Sequence, residues 1–241
     1  MKLRKMIYQP YKWLIFAPLM IISTFIFAFL AILLSLLVNQ RIGSWVGGNV
    51  WARFNGMITP IKVSVTGKEN IQKGQSYVIV SNHQSLYDVW VVYGWLGIDV
   101  RWVMKQELRK VPGIGVASEV VGHIFVDRSN AEASKKSIEE AKKRVVNGTS
   151  VVFFPEGTRS RDGSLHPFKK GAFRMAIDLN LPILPITIMG TKNILPSDSI
   201  DLMPGKVKVV IHKPISVAGV NPEQVNELSK SVKQSIASSL H

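Results

Sequence analysis

The sequence predicts an α/β domain, a largely parallel mixed sheet flanked by helices, joined to an N-terminal hydrophobic two-helix membrane anchor. Three observations predict it. From residue 61 onward, short β-branched runs alternate with helical patterns, which is how strands and crossover helices of a parallel sheet are written. Ahead of them, no residue from Trp13 to Gln40 is charged. Between the two lies an amphipathic stretch, so the 241 residues divide into an anchoring segment, 1–60, and a domain, 61–241.

The uncharged run of 28 residues would reach about 42 Å as one helix, more than a ~30 Å hydrocarbon core requires. It is too long for the apolar region of a signal peptide, and no small-residue cleavage site follows it. Phe, Leu and Ile occupy every face, unlike a soluble core helix. From residue 40 to 60, Ile42, Val46, Val50, Phe54, Met57 and Ile58 recur at helical spacing, beside Trp45 and Trp51. This second helix suits the headgroup region, and equally a helix packed on the domain. Lys2, Arg4, Lys5 and Lys12 precede the run and only Arg41 and Arg53 follow closely, which keeps the N-terminus cytoplasmic. The expectation is a chain that enters one leaflet, bends near Pro18, turns back near 39–44 and returns as an interfacial helix over 45–58.

In the domain, strands are expected at 61–66, 77–81, 100–104, 124–126, 150–154, 183–189 and 207–211. Helices are expected after Ser85, at 131–147, at 171–181 and from Pro222 to the end. Ser129-x-x-Glu132 caps the second helix, Ala133, Ile138, Ala141 and Val145 give its buried stripe, and Asn147-Gly148 stops it. Asn221-Pro222 opens the last with an N-cap and a proline at the first helical position.

The net charge of +14, from Lys+Arg 30 against Asp+Glu 16, favours anionic partners such as a phospholipid surface or phosphorylated substrates. No nucleic acid is expected, because no recognition-helix, zinc-finger or RNA-binding signature is present. The absence of cysteine excludes disulfides, cysteine-ligated zinc and an enzyme-bound thioester. The five histidines lack metal-ligand spacing with acidic partners, so no metal is expected.

Chemistry concentrates in four segments. Asn82-His83-Gln84-Ser85-Leu86-Tyr87-Asp88 follows a strand and puts a proton acceptor and a carboxylate at a strand-to-helix junction. Ser85 to Asp88 also fits a capping box, an ordinary helix start. Gly122-His123-Ile124-Phe125-Val126-Asp127-Arg128 delivers a guanidinium to the loop edge, where it suits phosphate or a surface ion pair. Phe153-Phe154-Pro155-Glu156-Gly157-Thr158-Arg159-Ser160 breaks from a strand into a loop with two hydroxyls, a second cation and a glycine that admits close approach. Glu156 would repel phosphate, so it accepts from a substrate hydroxyl or holds an arginine. Lys105, ahead of Glu107-Leu108, adds a cation just beyond another strand, and Pro182 and Pro185 fix the start of a later one.

Asn-His-x4-Asp, Gly-x-Ile-Phe-x-Asp-Arg, Phe-Pro-Glu-Gly-Thr-Arg-Ser and Pro-x-x-Pro, in this order over residues 62–215, resemble the glycerolipid acyltransferase family. The resemblance implies transfer of a fatty acyl group from acyl-CoA or acyl carrier protein to the 2-hydroxyl of lysophosphatidic acid, giving phosphatidic acid. It implies His83 and Asp88 as catalytic residues. Arg128, Glu156, Gly157, Thr158 and Arg159 would bind the acceptor, with Lys105 beside them. No cofactor is implied beyond the acyl co-substrate. The site would sit monotopically on the cytoplasmic face of the inner or plasma membrane, against anionic phospholipid. Two other readings fit the composition: acylation or transacylation of another lysolipid, and a non-catalytic membrane protein that binds phosphate. A serine hydrolase lacks its Gly-x-Ser-x-Gly elbow, though Ser85 beside His83 leaves an acyl-enzyme open.

Overall fold

The computed structural model describes residues 2–127, 139, 142–145 and 147–240. The domain is built on seven strands: β1 Lys62–Thr66, β2 Val78–Ser81, β3 Asp99–Lys105, β4 Ile124–Val126, β5 Thr149–Phe153, β6 Ile183–Met189 and β7 Lys206–Ile211. Their order across the sheet is β1-β7-β6-β2-β5-β3-β4, and β6 with β7 is the antiparallel pair, so the sheet is mostly parallel and mixed. The fold class expected from the sequence holds, and the expected strands recur within a residue of their bounds.

The four residues of β2 are all buried, as a strand covered on both faces must be. Their alternation sorts two cores. Ile79, with Val152, Leu184 and Ile186, faces one layer; Val78 and Val80, with Val151 and Ile183, face the other. The second layer is closed by α7 Gly171–Leu179 and α9 Val225–Ala237 through Phe173, Met175, Val232 and Ile236. Asn221 and Gln224 form the capping box that opens the last helical segment. Asn147 and Gly148 are both left-handed, as a helix stop requires. Most of the expected helix 131–147 lies outside the described residues, as does its cap.

The first layer is closed by α5 Tyr87–Trp95 and by the N-terminal segment. That segment runs as α1 Lys2–Tyr11, a wider π turn over Lys12–Phe16, and α2 Ala17–Leu37. The π turn lies just ahead of Pro18, whose ring nitrogen donates no helical bond, so the bend expected at proline is absorbed as a widened turn. The chain reverses at Val38 and Asn39. Asn39 is extended, and its Oδ1 accepts from the Ile42 amide at 3.0 Å, capping α3 Gln40–Ser44. Helical structure continues through a π turn, Trp45–Val50, into α4 Trp51–Ile58, so the return helix starts five residues earlier than expected.

Glycine and small residues make the hairpin tight. A Cβ on Gly43 would meet Ser35 Oγ and the Ala31 carbonyl, and one on Gly47 would meet Ala31. Polar groups also join its arms: Trp51 Nε1 donates to Thr24 Oγ1 at 3.3 Å, and Asn55 Nδ2 donates to the Trp51 carbonyl at 2.8 Å and to Ser23 Oγ at 3.5 Å. The inner side packs on the domain through Phe16, which belongs to the first core and lies 6.5 Å from the Trp90 ring, and the Tyr11 hydroxyl ties the two arms together by donating to the Ile58 carbonyl at 2.8 Å. Leu14, Ile22, Phe29 and Leu36 stay exposed on the outer side. Two short helices that the sequence pattern had not indicated complete the fold, α6 Ile114–Val120 and α8 Thr191–Ile194.

Candidate active site

β2, β3, β4 and β5 run parallel, so their C-terminal ends share one edge of the sheet, where side chains from different strands converge. Asn82 fixes the tip of β2. Its Nδ2 donates to the Ile188 carbonyl and its Oδ1 accepts from the Ile188 amide, both at 2.8 Å, which ties β2 to β6 beyond the ladder.

His83 follows, with Nδ1 2.8 Å from Asp88 Oδ2. The same oxygen accepts from the Gln84 amide at 2.7 Å and the Ser85 amide at 2.9 Å. Three donors onto one fully buried carboxylate require Nδ1 to be the protonated ring nitrogen and leave Nε2 for a ligand. The helix begins at Tyr87 with Leu86 as its N-cap, one residue beyond the serine expected there. Ser85 Oγ still accepts from the Tyr87 amide at 3.0 Å while Asp88 receives the Ser85 amide, so the carboxylate in the first turn also orients the ring. Ser85 Oγ donates its proton to the Leu195 carbonyl at 2.6 Å and is fully buried, so it is not placed to act as a nucleophile. The His83 ring lies flat on Phe154, with centroids 3.9 Å apart and planes 9° apart.

The loop after β5 wraps this histidine from below. Glu156 Oε1 accepts from the His83 amide and Oε2 from the His166 amide, each at 2.9 Å, and the Ser160 amide donates to the His83 carbonyl at 2.8 Å. The Glu156 side chain has no exposed surface. Burial pushes its pKa up against the opposing pull of the two amide donors. A role for Glu156 on a substrate hydroxyl or an arginine is therefore not what this geometry offers: both oxygens are occupied by main chain. Gly157 has a φ of 74°, and Lys169 Nζ lies where its Cβ would be.

An open cleft of about 810 Å³ lies over the dyad, lined among others by His83, Phe154, Gly157, Thr158, Arg159 and Arg161. The structure thus brings His83, Gly157, Thr158 and Arg159 to one cavity, with Asp88 and Glu156 behind the histidine. Lys105 lies apart from the cleft lining, at the end of β3, exposed and paired with Glu107 at 2.8 Å. Arg128 lies outside the described residues. Two cleft residues carried no weight in the sequence: Arg161 looks like another surface cation, and Asp198 is separated from His83 by 115 positions, with no motif around it. Phe154 opens the third motif, but its stacking on His83 was not visible there.

A sheet covered on both faces, with His-x4-Asp beyond one central strand and Glu-Gly-Thr-Arg beyond its neighbour, defines an α/β protein with a histidine–carboxylate pair opening on a cation-lined cleft. The acyltransferase family model matches residues 62–189, and the chain belongs to this family. It is similar to the chloroplastic 1-acyl-sn-glycerol-3-phosphate acyltransferase of Brassica napus, 40% identical over 156 residues, which are 64% of this chain and 45% of that protein. It is also similar to the mouse 1-acyl-sn-glycerol-3-phosphate acyltransferase alpha, 34% identical over 178 residues, which are 73% of this chain and 62% of that protein. The matched chain thus spans about half to three fifths of these relatives. Among solved structures, that of the lysophosphatidic acid acyltransferase PlsC from Thermotoga maritima superposes with a TM-score of 0.82 at 28% identity, covering 99% of this chain and 95% of that one.

Proposed function

We propose that the protein acylates the 2-hydroxyl of a 1-acylglycerol 3-phosphate with a fatty acyl thioester, forming phosphatidic acid. The observation that carries this reading is the dyad at the mouth of the cleft: His83 is held by the buried Asp88 and stacked on Phe154, with Arg159 lining the same cavity. The named relatives support the choice of acceptor.

In this mechanism His83 Nε2 takes the proton of the acceptor hydroxyl as its oxygen attacks the thioester carbonyl. Asp88 stabilises the imidazolium so formed. The tetrahedral intermediate collapses with cleavage of the C–S bond, and the leaving sulfur takes the proton from His83. The thiol belongs to the donor, acyl-CoA or acyl carrier protein, so a chain with no cysteine can run the reaction without an acyl-enzyme. Arg159 binds the acceptor phosphate, with Gly157 and Thr158 shaping its berth. Lys105 adds charge from the end of β3, which shares this edge of the sheet with β2 and β5, and the resemblance gives Arg128 the same role. Glu156 fixes the main chain on either side of the cleft.

The anchor determines where this happens. The apolar helix from Met6 to Leu37 spans 32 residues, about 48 Å, and the domain meets it in its middle, at Phe16, Met20 and Phe25. A helix with a polar domain against its middle does not cross the bilayer without carrying that domain into the hydrocarbon. It lies instead in one leaflet with its outer face in lipid, on the cytoplasmic side where both donors are made, and the basic surface meets anionic headgroups.

The test is thioester-dependent thiol release with lysophosphatidic acid. His83→Ala is expected to lose ~10²–10⁴-fold in turnover with an unchanged unfolding midpoint. A variant retaining a tenth of normal turnover would overturn the assignment.

A further inference from the structure

Two arginines of the cleft, Arg159 and Arg161, both point at a carboxylate. Arg159 Nη2 donates to Asp198 Oδ1 at 3.3 Å, and Arg161 donates to Asp198 Oδ2 through Nη2 at 2.8 Å and Nε at 3.1 Å. One oxygen thus serves each guanidinium, an arrangement that two oxygens of a phosphate could reproduce. Asp198, Arg159 and Arg161 all line the cavity that holds His83. Asp198 reaches this place from a backbone in the left-handed region, φ 59°, which costs a non-glycine residue free energy. It sits in the segment after α8, on a different part of the chain from the arginines it joins.

We propose that Asp198 is a stand-in for the acceptor phosphate, a built-in competitor that the headgroup must displace in order to bind; this rests on the acyl-acceptor reading above. The carboxylate, with one negative charge, satisfies both arginines. A bound headgroup must displace it. A phosphomonoester carries between one and a half and two charges near neutral pH, so its exchange for the carboxylate gains electrostatic energy. A phosphodiester carries one charge and gains less. Displacing Asp198 costs every anion the same, so the carboxylate sets the affinity of the berth and leaves the choice between anions to the arginines.

The experiment compares the full-length wild type and Asp198→Asn, a substitution that tolerates the left-handed backbone, in detergent micelles. Three quantities are read: KM for lysophosphatidic acid, the preference for it over lysophosphatidylglycerol, and calorimetric binding of inorganic phosphate. Breaking one or two exposed ion pairs should tighten phosphate and lower KM by about two- to tenfold. Because the cost is common to both anions, the preference for the monoester should stay at its wild-type value while both affinities rise. If the affinity for phosphate matches the wild type or weakens, Asp198 only supports the arginines and the proposal is wrong. Asp198→Gly keeps the backbone conformation and removes the side chain, so agreement between the two variants separates the carboxylate from any loop effect. The phosphate titration needs no turnover: a wild type that binds phosphate without using lysophosphatidic acid sinks the acceptor reading and leaves the exchange still measurable.

Discussion

Glu156→Gln distinguishes a residue that touches the acceptor from one that holds the catalytic histidine. The side chain keeps its size, but one oxygen becomes an amino group facing a main-chain N–H, either that of His83 or that of His166. A buried amide left without its acceptor costs ~1–3 kcal/mol, and the bond lost was to a carboxylate, at the upper end of that range. The unfolding midpoint should therefore drop measurably. The consequence for catalysis follows from position: Glu156 holds the His83 amide directly and, through His166, the loop around it, and misplacement of a reacting group by ~1 Å can lower turnover ~10²-fold. Steady-state kinetics with lysophosphatidic acid and a soluble acyl thioester should show kcat down by about ten- to a hundredfold with KM little changed. The opposite pattern, KM raised with kcat and unfolding midpoint intact, would mean that Glu156 meets the substrate and that its hydrogen bonds to main chain are incidental.

His123 is buried, with the Tyr93 hydroxyl on Nε2 and Arg101 and Arg144 nearby, and desolvation first, then the two arginines, push its pKa down to about 3. The unfolded chain takes its proton near pH 6.5 and the fold does not, so stability is lost as pH falls from 6.5 towards 3, about 1.4 kcal/mol per unit. Going from pH 7 to pH 5 should cost about 2 kcal/mol through this group, and His123→Gln should show a shallower decline in unfolding midpoint; parallel curves for the two proteins would refute it. For the anchor, cysteines introduced singly at Lys2 and His241 of this cysteine-free chain should resist an impermeant thiol reagent in intact cells and react once the membrane is opened. Labelling of either beforehand would exclude the one-leaflet arrangement.

The centre of the sheet was legible because strands such as β2 and β6 are covered on both faces. Runs such as Val78 to Val80 and Ile183 to Ile188 are too apolar and β-branched for any exposed element, and each is closed by glycine, proline or asparagine nearby. The hairpin was legible for a related reason, since an apolar helix leaves an uncharged run. What it did not disclose was where the return helix begins. Asn39 caps through its own side chain three residues ahead of Ile42, and Gln40 to Ser44, expected as the turn, is already helical. The helices Ile114–Val120 and Thr191–Ile194 are too short for periodicity to show.

The site divides along a similar line. Asn82 through Asp88 could be read because the whole device is local. Four residues separate the histidine from its carboxylate, and the amides of Gln84 and Ser85 that hold the carboxylate lie between them. A helix start and an acid–base pair have the same sequence signature here because they are made from the same hydrogen bonds. The rest depends on contacts across the chain. Glu156 reaches the His83 amide over 73 positions, Ser85 reaches Leu195 over 110, and Asp198 meets Arg161 over 37. In each case the residue type was visible and its partner was not. For Glu156 that gap changed the expected role. Beside an arginine in the sequence, a carboxylate suggests a substrate or a guanidinium; only the packing of the β5 loop beneath β2 reveals that it holds two stretches of main chain around the cleft.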